Sequence, residues 1–184
     1  DHRRITDRPR KYGFHATVKP PFSLASRSTQ TELQDAFHAF CATISPATGG
    51  TLKICRLGRF LAMTQDVQSN EVTELASSTV SYFDKFRAPL SDNDIEKRRR
   101  RRLTPQQDAL MLRWGYPYVM QEFKFHMTLT GPLAPNEIDA VEQRANTRFL
   151  EFIGQSLNMA SLALLGEDRD SGRFHVIERL SLRR

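Results

Sequence analysis

The 184-residue sequence predicts an α+β protein made of two related halves, and three observations carry the prediction. Two short segments nearly repeat: Gly13-Phe14-His15-Ala16-Thr17-Val18-Lys19-Pro20-Pro21-Phe22 and Lys124-Phe125-His126-Met127-Thr128-Leu129-Thr130-Gly131-Pro132-Leu133. Each is followed by an amphipathic helix and then by two strands. A turn signal also falls at the same distance from each histidine, because Gly58 lies 43 residues after His15 and the same count from His126 reaches Arg169.

The elements follow in order. In residues 14–19, Phe14, Ala16 and Val18 alternate with His15, Thr17 and Lys19, which is the period-two pattern of a half-buried strand. Pro20-Pro21 ends it, since proline cannot donate to a ladder. Thr29 to Glu32 has the spacing of a capping box, and Leu33, Phe37, Phe40, Cys41 and Ile44 then form one apolar stripe at helical spacing. Strands over about 51–57 and 59–65, broken near Gly58, complete the first half.

In the second half, Phe125, Met127 and Leu129 alternate with His126, Thr128 and Thr130. Pro135 suits a first helical turn, with Ile138, Val141, Ala145, Phe149 and Phe152 as the apolar stripe. Strands over about 157–165 and 173–182 flank the turn residues Asp168 to Gly172. The domain organisation expected is one bilobal domain: a first lobe over about 10–66, a helical insert over about 67–123 and a second lobe over about 124–184. In the insert, Asn70 caps a helix with Val72, Leu75, Val80, Phe83 and Phe86. Ser91 to Asp94 caps a second, and Thr104-Pro105 opens a third that Gly115 and Pro117 stop.

Hydrophobic residues make up 39% and charged residues 26%, the composition of an ordinary soluble domain. No apolar run approaches the length of a membrane span and no signal-peptide pattern opens the chain, so no membrane partner is expected. The first residue is Asp1, which leaves room for a preceding strand or targeting segment. Cys41 and Cys55 read as buried free thiols, as suits a reducing cytoplasm, and there is no Cys-x-x-Cys or His-Glu-x-x-His zinc pattern. The net charge of +6 invites an anionic ligand. The run Lys97 to Arg102, with its arginines at 98–102, leaves RNA as a second candidate partner. The sequence assigns no oligomeric state.

Two histidines on related strands can divide acid and base work. Histidine titrates near neutrality, so a neutral ring can take a proton from the attacking oxygen while a protonated one gives a proton to the departing oxygen. His15 and His126 are the candidate catalytic pair. A residue two positions along a strand points the same way, so Thr17 and Thr128 are placed to donate to non-bridging phosphate oxygens. Lys19 follows on the same face as a fixed positive charge, and Tyr116 and Tyr118 are candidates to stack on a base or close over the site. No third ligand accompanies the histidines, so neither a metal nor another cofactor is expected.

The sequence resembles the two-histidine (2H) phosphoesterase superfamily, whose signature is a pair of His-x-Thr/Ser-x motifs. His15-Ala16-Thr17-Val18 and His126-Met127-Thr128-Leu129 match that signature. The strings Tyr12-Gly13-Phe14-His15-Ala16-Thr17 and Trp114-Gly115-Tyr116-Pro117-Tyr118 resemble the branch associated with phosphonate metabolism. The resemblance covers nearly the whole chain from about Arg10. It implies two pseudo-symmetric α+β lobes, each with a small antiparallel sheet, around a central cleft holding His15, Thr17, His126 and Thr128. It implies metal-independent opening of a cyclic phosphodiester of a nucleotide, an RNA end or a ribosyl phosphate. The rival readings are a non-catalytic module that binds a nucleotide or RNA end, and an RNA-processing enzyme like the 2′-5′ RNA ligases.

Overall fold

The structure, a computed structural model, describes residues 1–183. It is α+β with antiparallel sheets. A short helix α1 (His2–Ile5) is capped by the Asp1 side chain. Helix α2 (Gln30–Cys41) opens on the expected capping box, with Thr29 and Glu32 each bonding the other's backbone N–H. It buries Leu33, Phe37, Phe40 and Cys41 on one face. Strands β1 (Ala47–Leu57) and β2 (Phe60–Gln65) form a hairpin around Gly58 and Arg59, with Leu57 opposite Phe60.

Three helices follow. Helix α3 (Asn70–Phe83) is capped by the Ser69 hydroxyl rather than by Asn70, and Phe86 lies beyond it in a separate 3₁₀ turn. Helix α4 (Asp92–Arg99) has the Ser91–Asp94 capping box and buries none of its residues. Helix α5 (Pro105–Trp114) starts at Thr104 and ends at Gly115, whose φ of +80° is the left-handed conformation that favours glycine. None of these helices, nor any other among the described residues, is long and apolar enough to cross a membrane.

Strand β3 (His126–Thr128) carries the second motif. Helix α6 (Ile138–Arg148) begins three residues later than Pro135 suggests, because Glu137 takes the cap position and its side chain accepts from the Ala134 N–H. Strands β4 (Ser156–Met159), β5 (Ser161–Glu167) and β6 (Phe174–Ser181) end the chain. The strand expected over 157–165 is thus two strands. The chain leaves β1 at Met159 and pairs with β6 from Ser161 onward.

The larger sheet has the order β3-β2-β1-β4, and β5-β6 form a second sheet. The larger sheet therefore draws β1 and β2 from the first half of the sequence and β3 and β4 from the second. The helices also cross over: α2 packs against β5 and β6, and α6 against β1. The main core gathers Phe37, Phe40, Val72, Leu75, Phe83, Phe123 and Phe125, with Leu157 and Leu162. Helix α6 is less committed than its expected stripe implies. Ile138, Val141, Ala145 and Phe149 are half-buried and Phe152 is exposed, because α6 lies on one strand whereas α2 is held between α3 and the β5–β6 sheet.

The first motif is not a strand. Residues 14–19 run beside β3 but make a single antiparallel bridge, Ala16 to Met127. Gly13, at φ +75°, turns the chain in. Bends at Val18 and Lys19 and then two prolines turn it out, and proline offers no donor to extend a ladder.

Candidate functional site

That one bridge brings the two motifs together. Residues opposite each other in an antiparallel pair share a face, and their neighbours point the other way. With Ala16 opposite Met127, His15 stands opposite Thr128 and Thr17 opposite His126. Ala16 and Met127 pack on the core, so all four motif side chains take the opposite face. Each histidine is beside the threonine of the other motif, and the two histidines are diagonal neighbours, a relation that puts Cα atoms about 7–8 Å apart.

The register continues across the sheet. Thr128 is opposite Ala62, and His126 opposite Thr64. Ala62 is in turn opposite Cys55, and Thr64 opposite Lys53. The face thus carries two rows, His15–Thr128–Ala62–Cys55 and Thr17–His126–Thr64–Lys53. Ala62 and Thr64 are buried and form the floor. His15 and Thr128 are half-buried, and Thr17, His126 and Lys53 are exposed. Cys55 is half-buried rather than buried, because it lies on this polar face, while Cys41 is enclosed and its thiol is pushed up to about 11 by burial and by Glu178.

Each histidine is oriented by its own neighbourhood. His126 Nδ1 is 2.8 Å from the Lys124 carbonyl oxygen, which can only accept, so Nδ1 carries the proton and Nε2 faces outward. His15 Nε2 is 3.1 Å from Thr17 Oγ1, and the Tyr12 ring meets the imidazole edge-on with centroids 5.6 Å apart. Burial holds His15 below its usual pKa, partly offset by the Tyr12 backbone carbonyl. His15 is therefore neutral at pH 7.

Three expected site residues are placed elsewhere. Lys19 turns away because the chain bends at Val18 and Lys19, which breaks the alternation. Its ammonium donates to the Val80 carbonyl at 3.2 Å and stands 3.6 Å from Asp84 Oδ1. Burial lowers its pKa, Asp84 raises it and Arg87 lowers it further. Tyr116 packs with Val80, Leu110 and Val119, and the Arg98 guanidinium lies 5.3 Å from its ring centre. Tyr118 meets Tyr116 edge-on at 5.7 Å. Their partners are thus the helical segment and its arginine run.

Thr64, Ala62 and Lys53 were not singled out by the motifs. Their signal is the hairpin: counting back from Gly58 pairs Lys53 with Thr64 and Cys55 with Ala62, but nothing local says that β3 will lie beside β2. Two surface hollows, of about 270 and 410 Å³, lie apart from the four motif residues. Asp84, Arg87 and Leu112 line one and Arg27, Glu32 and Lys85 the other. Among the described residues, no three His, Cys, Asp or Glu side chains group closely enough to hold a metal ion.

Comparison with known proteins adds a family and two relatives. The family described as "Protein of unknown function (DUF1045)" matches residues 17–175. A protein of Janthinobacterium sp. (strain Marseille) named ribose 1,5-bisphosphate phosphokinase PhnN is 39% identical over 137 residues, or 74% of this chain and 30% of that protein. A protein of the same name from Laribacter hongkongensis (strain HLHK9) is 32% identical over 173 residues, 90% of this chain and 38% of that protein. The chain spans about a third of the length of these curated relatives.

Proposed function

The chain belongs to the DUF1045 family, and from that premise and the paired histidines we propose that it is a metal-independent phosphodiesterase that opens a cyclic phosphodiester on a small ribosyl phosphate or nucleotide. The observation that carries the reading is the Ala16–Met127 bridge, which sets each histidine beside the other motif's threonine on one open face.

His15 is the base. It is neutral at pH 7, and Thr17, now bonded to its Nε2, can turn its hydroxyl to a phosphate oxygen and free that nitrogen. His126 is the acid. Its Nδ1–H bond to Lys124 is kept when the ring is doubly protonated, which leaves an Nε2–H to donate. Water attacks phosphorus and gives its proton to His15, the ring P–O bond breaks, and the departing oxygen takes the proton of His126. Thr17 and Thr128 donate to the non-bridging oxygens. The product is a phosphomonoester beside a new hydroxyl.

The relatives' names support a ribose carrying phosphate as the substrate class. They do not carry kinase chemistry to this chain, since its 184 residues contain no Gly-x-x-x-x-Gly-Lys-Ser/Thr phosphate loop. The test is turnover of 2′,3′-cyclic nucleotides and ribose cyclic phosphates in the presence of chelator. Ring opening that survives the chelator supports the proposal; loss of all turnover in chelator, or tight binding without product, defeats it.

A second reading has one specific observation behind it. Helix α4 buries no residue, and its last turn, Lys97–Arg99, opens the basic run that continues through Arg102, a stripe of positive charge that suits a nucleic-acid backbone. It predicts RNA affinity that falls steeply with salt, and a flat salt response removes it.

A further inference from the structure

The geometry points to Lys53 as the residue that binds a second anionic group of the substrate, separate from the phosphate between the histidines. This rests on the phosphodiesterase reading above. Lys53 lies in the row Thr17–His126–Thr64–Lys53, fixed by the pairs Lys53–Thr64 and Thr64–His126. It shares the histidine face because Leu52 beside it packs on the core. Two strand spacings, each about 4.7–4.9 Å, separate it from His126. The floor between them is Thr64, 9% exposed, so nothing bulky from the sheet stands between His126 and the Lys53 stem.

Of the eight side chains in the two rows, Lys53 is the one permanent cation. It is exposed, and among the described residues it makes no ion pair or side-chain hydrogen bond. Lys19, the cation expected here from the motif, is spent on Asp84. An ammonium on a flexible four-carbon stem is a compact point charge suited to a phosphate monoester. It is too far across the sheet to bracket the same phosphate as the two motifs. A ribose that carries its cyclic phosphate at one end and a phosphomonoester at the other fits both positions.

The experiment compares wild type with Lys53→Gln and Lys53→Arg on two substrates: a ribose cyclic phosphate bearing a 5-phosphate, and the same compound without it. Lys53→Gln is expected to lower kcat/KM on the 5-phosphorylated compound about 10- to 100-fold, the loss produced by removing a hydrogen bond to a charged group. The change should fall on KM, be largely rescued by Lys53→Arg, and be absent with the unphosphorylated compound. An equal effect on both compounds, or none on either, overturns the inference. If wild type turns over neither compound, the phosphodiesterase reading fails, and calorimetry with D-ribose 5-phosphate then decides on Lys53. Binding weakened about tenfold or more in Lys53→Gln supports it; no binding to wild type, or equal binding to both, overturns it.

Discussion

Replacing Lys19 by methionine separates a structural lysine from a substrate-binding one. The Lys19 side chain is 8% exposed, 3.6 Å from Asp84 Oδ1 and 3.2 Å from the Val80 carbonyl. Arg87 reaches the same carboxylate through Nε at 2.8 Å and Nη2 at 3.2 Å. Lys19→Met therefore removes one charged hydrogen bond, worth about 1.5–3 kcal/mol, but Asp84 keeps Arg87. Methionine also fills the apolar volume of the stem and relieves the burial cost of the ammonium, so a net loss of about 1 kcal/mol is expected. Asp84→Asn instead leaves two cations without their carboxylate, a change worth about 3–5 kcal/mol when such a pair is buried. The readout is the urea midpoint of each variant, where the expected difference of about 2–4 kcal/mol separates the midpoints by about 1–2 M at an ordinary slope. Turnover by Lys19→Met should stay within about twofold of wild type, since the ammonium is aimed at Asp84. The reasoning is refuted if Lys19→Met keeps full stability and loses turnover, or if Asp84→Asn is no more destabilising than Lys19→Met.

Further predictions concern the site and its frame. Because His15 is held below its usual 6.5 in the folded chain, the unfolded chain binds the proton more readily. Its contribution to stability is full above pH 6.5 and is lost as pH falls from there toward the lower folded value. Stability measured across that window should rise with pH, with a smaller slope in His15→Gln. The same group predicts an acid limb of kcat/KM with its midpoint below pH 6.5. Thr130, 4% exposed, accepts the Leu61 N–H at 3.0 Å. Thr130→Val should cost about 1–3 kcal/mol of stability by orphaning that donor while leaving the KM of the remaining folded enzyme unchanged. Gly115→Ala strains a φ of +80° and puts a Cβ 2.8 Å from Arg87 Cδ, so it should lower the melting temperature and show that this helix end is fixed by backbone.

Much of this was legible because the signals are local. The Thr29–Glu32 and Ser91–Asp94 capping boxes, the stop at Gly115 and the hairpin at Gly58 each depend on a few consecutive residues. The two motifs were legible for the same reason, and their alternation correctly puts Ala16 and Met127 on the core. Alternation reports which face a side chain takes, but not whether a partner runs beside the segment. Residues 14–19 have the pattern of a strand and make one bridge. Lys19 illustrates the limit of counting by two, since the chain bends at Val18 and Lys19, just before the two prolines, and the alternation ends at Thr17. Lys53 and Thr64 were hidden because their place in the site depends on β3 pairing with β2, a contact between residues 62–64 and 126–128 that no local pattern encodes.

The most direct test of the central claim is kcat/KM on a ribose or nucleoside cyclic phosphate for wild type, His15→Ala, His126→Ala and the double variant, with folding checked by circular dichroism. Each single change should lower the rate about 10²–10⁴-fold. The double should be far less than the product of the two, because the histidines act as one unit on one phosphate. Either single variant retaining turnover within a few fold of wild type would contradict the account.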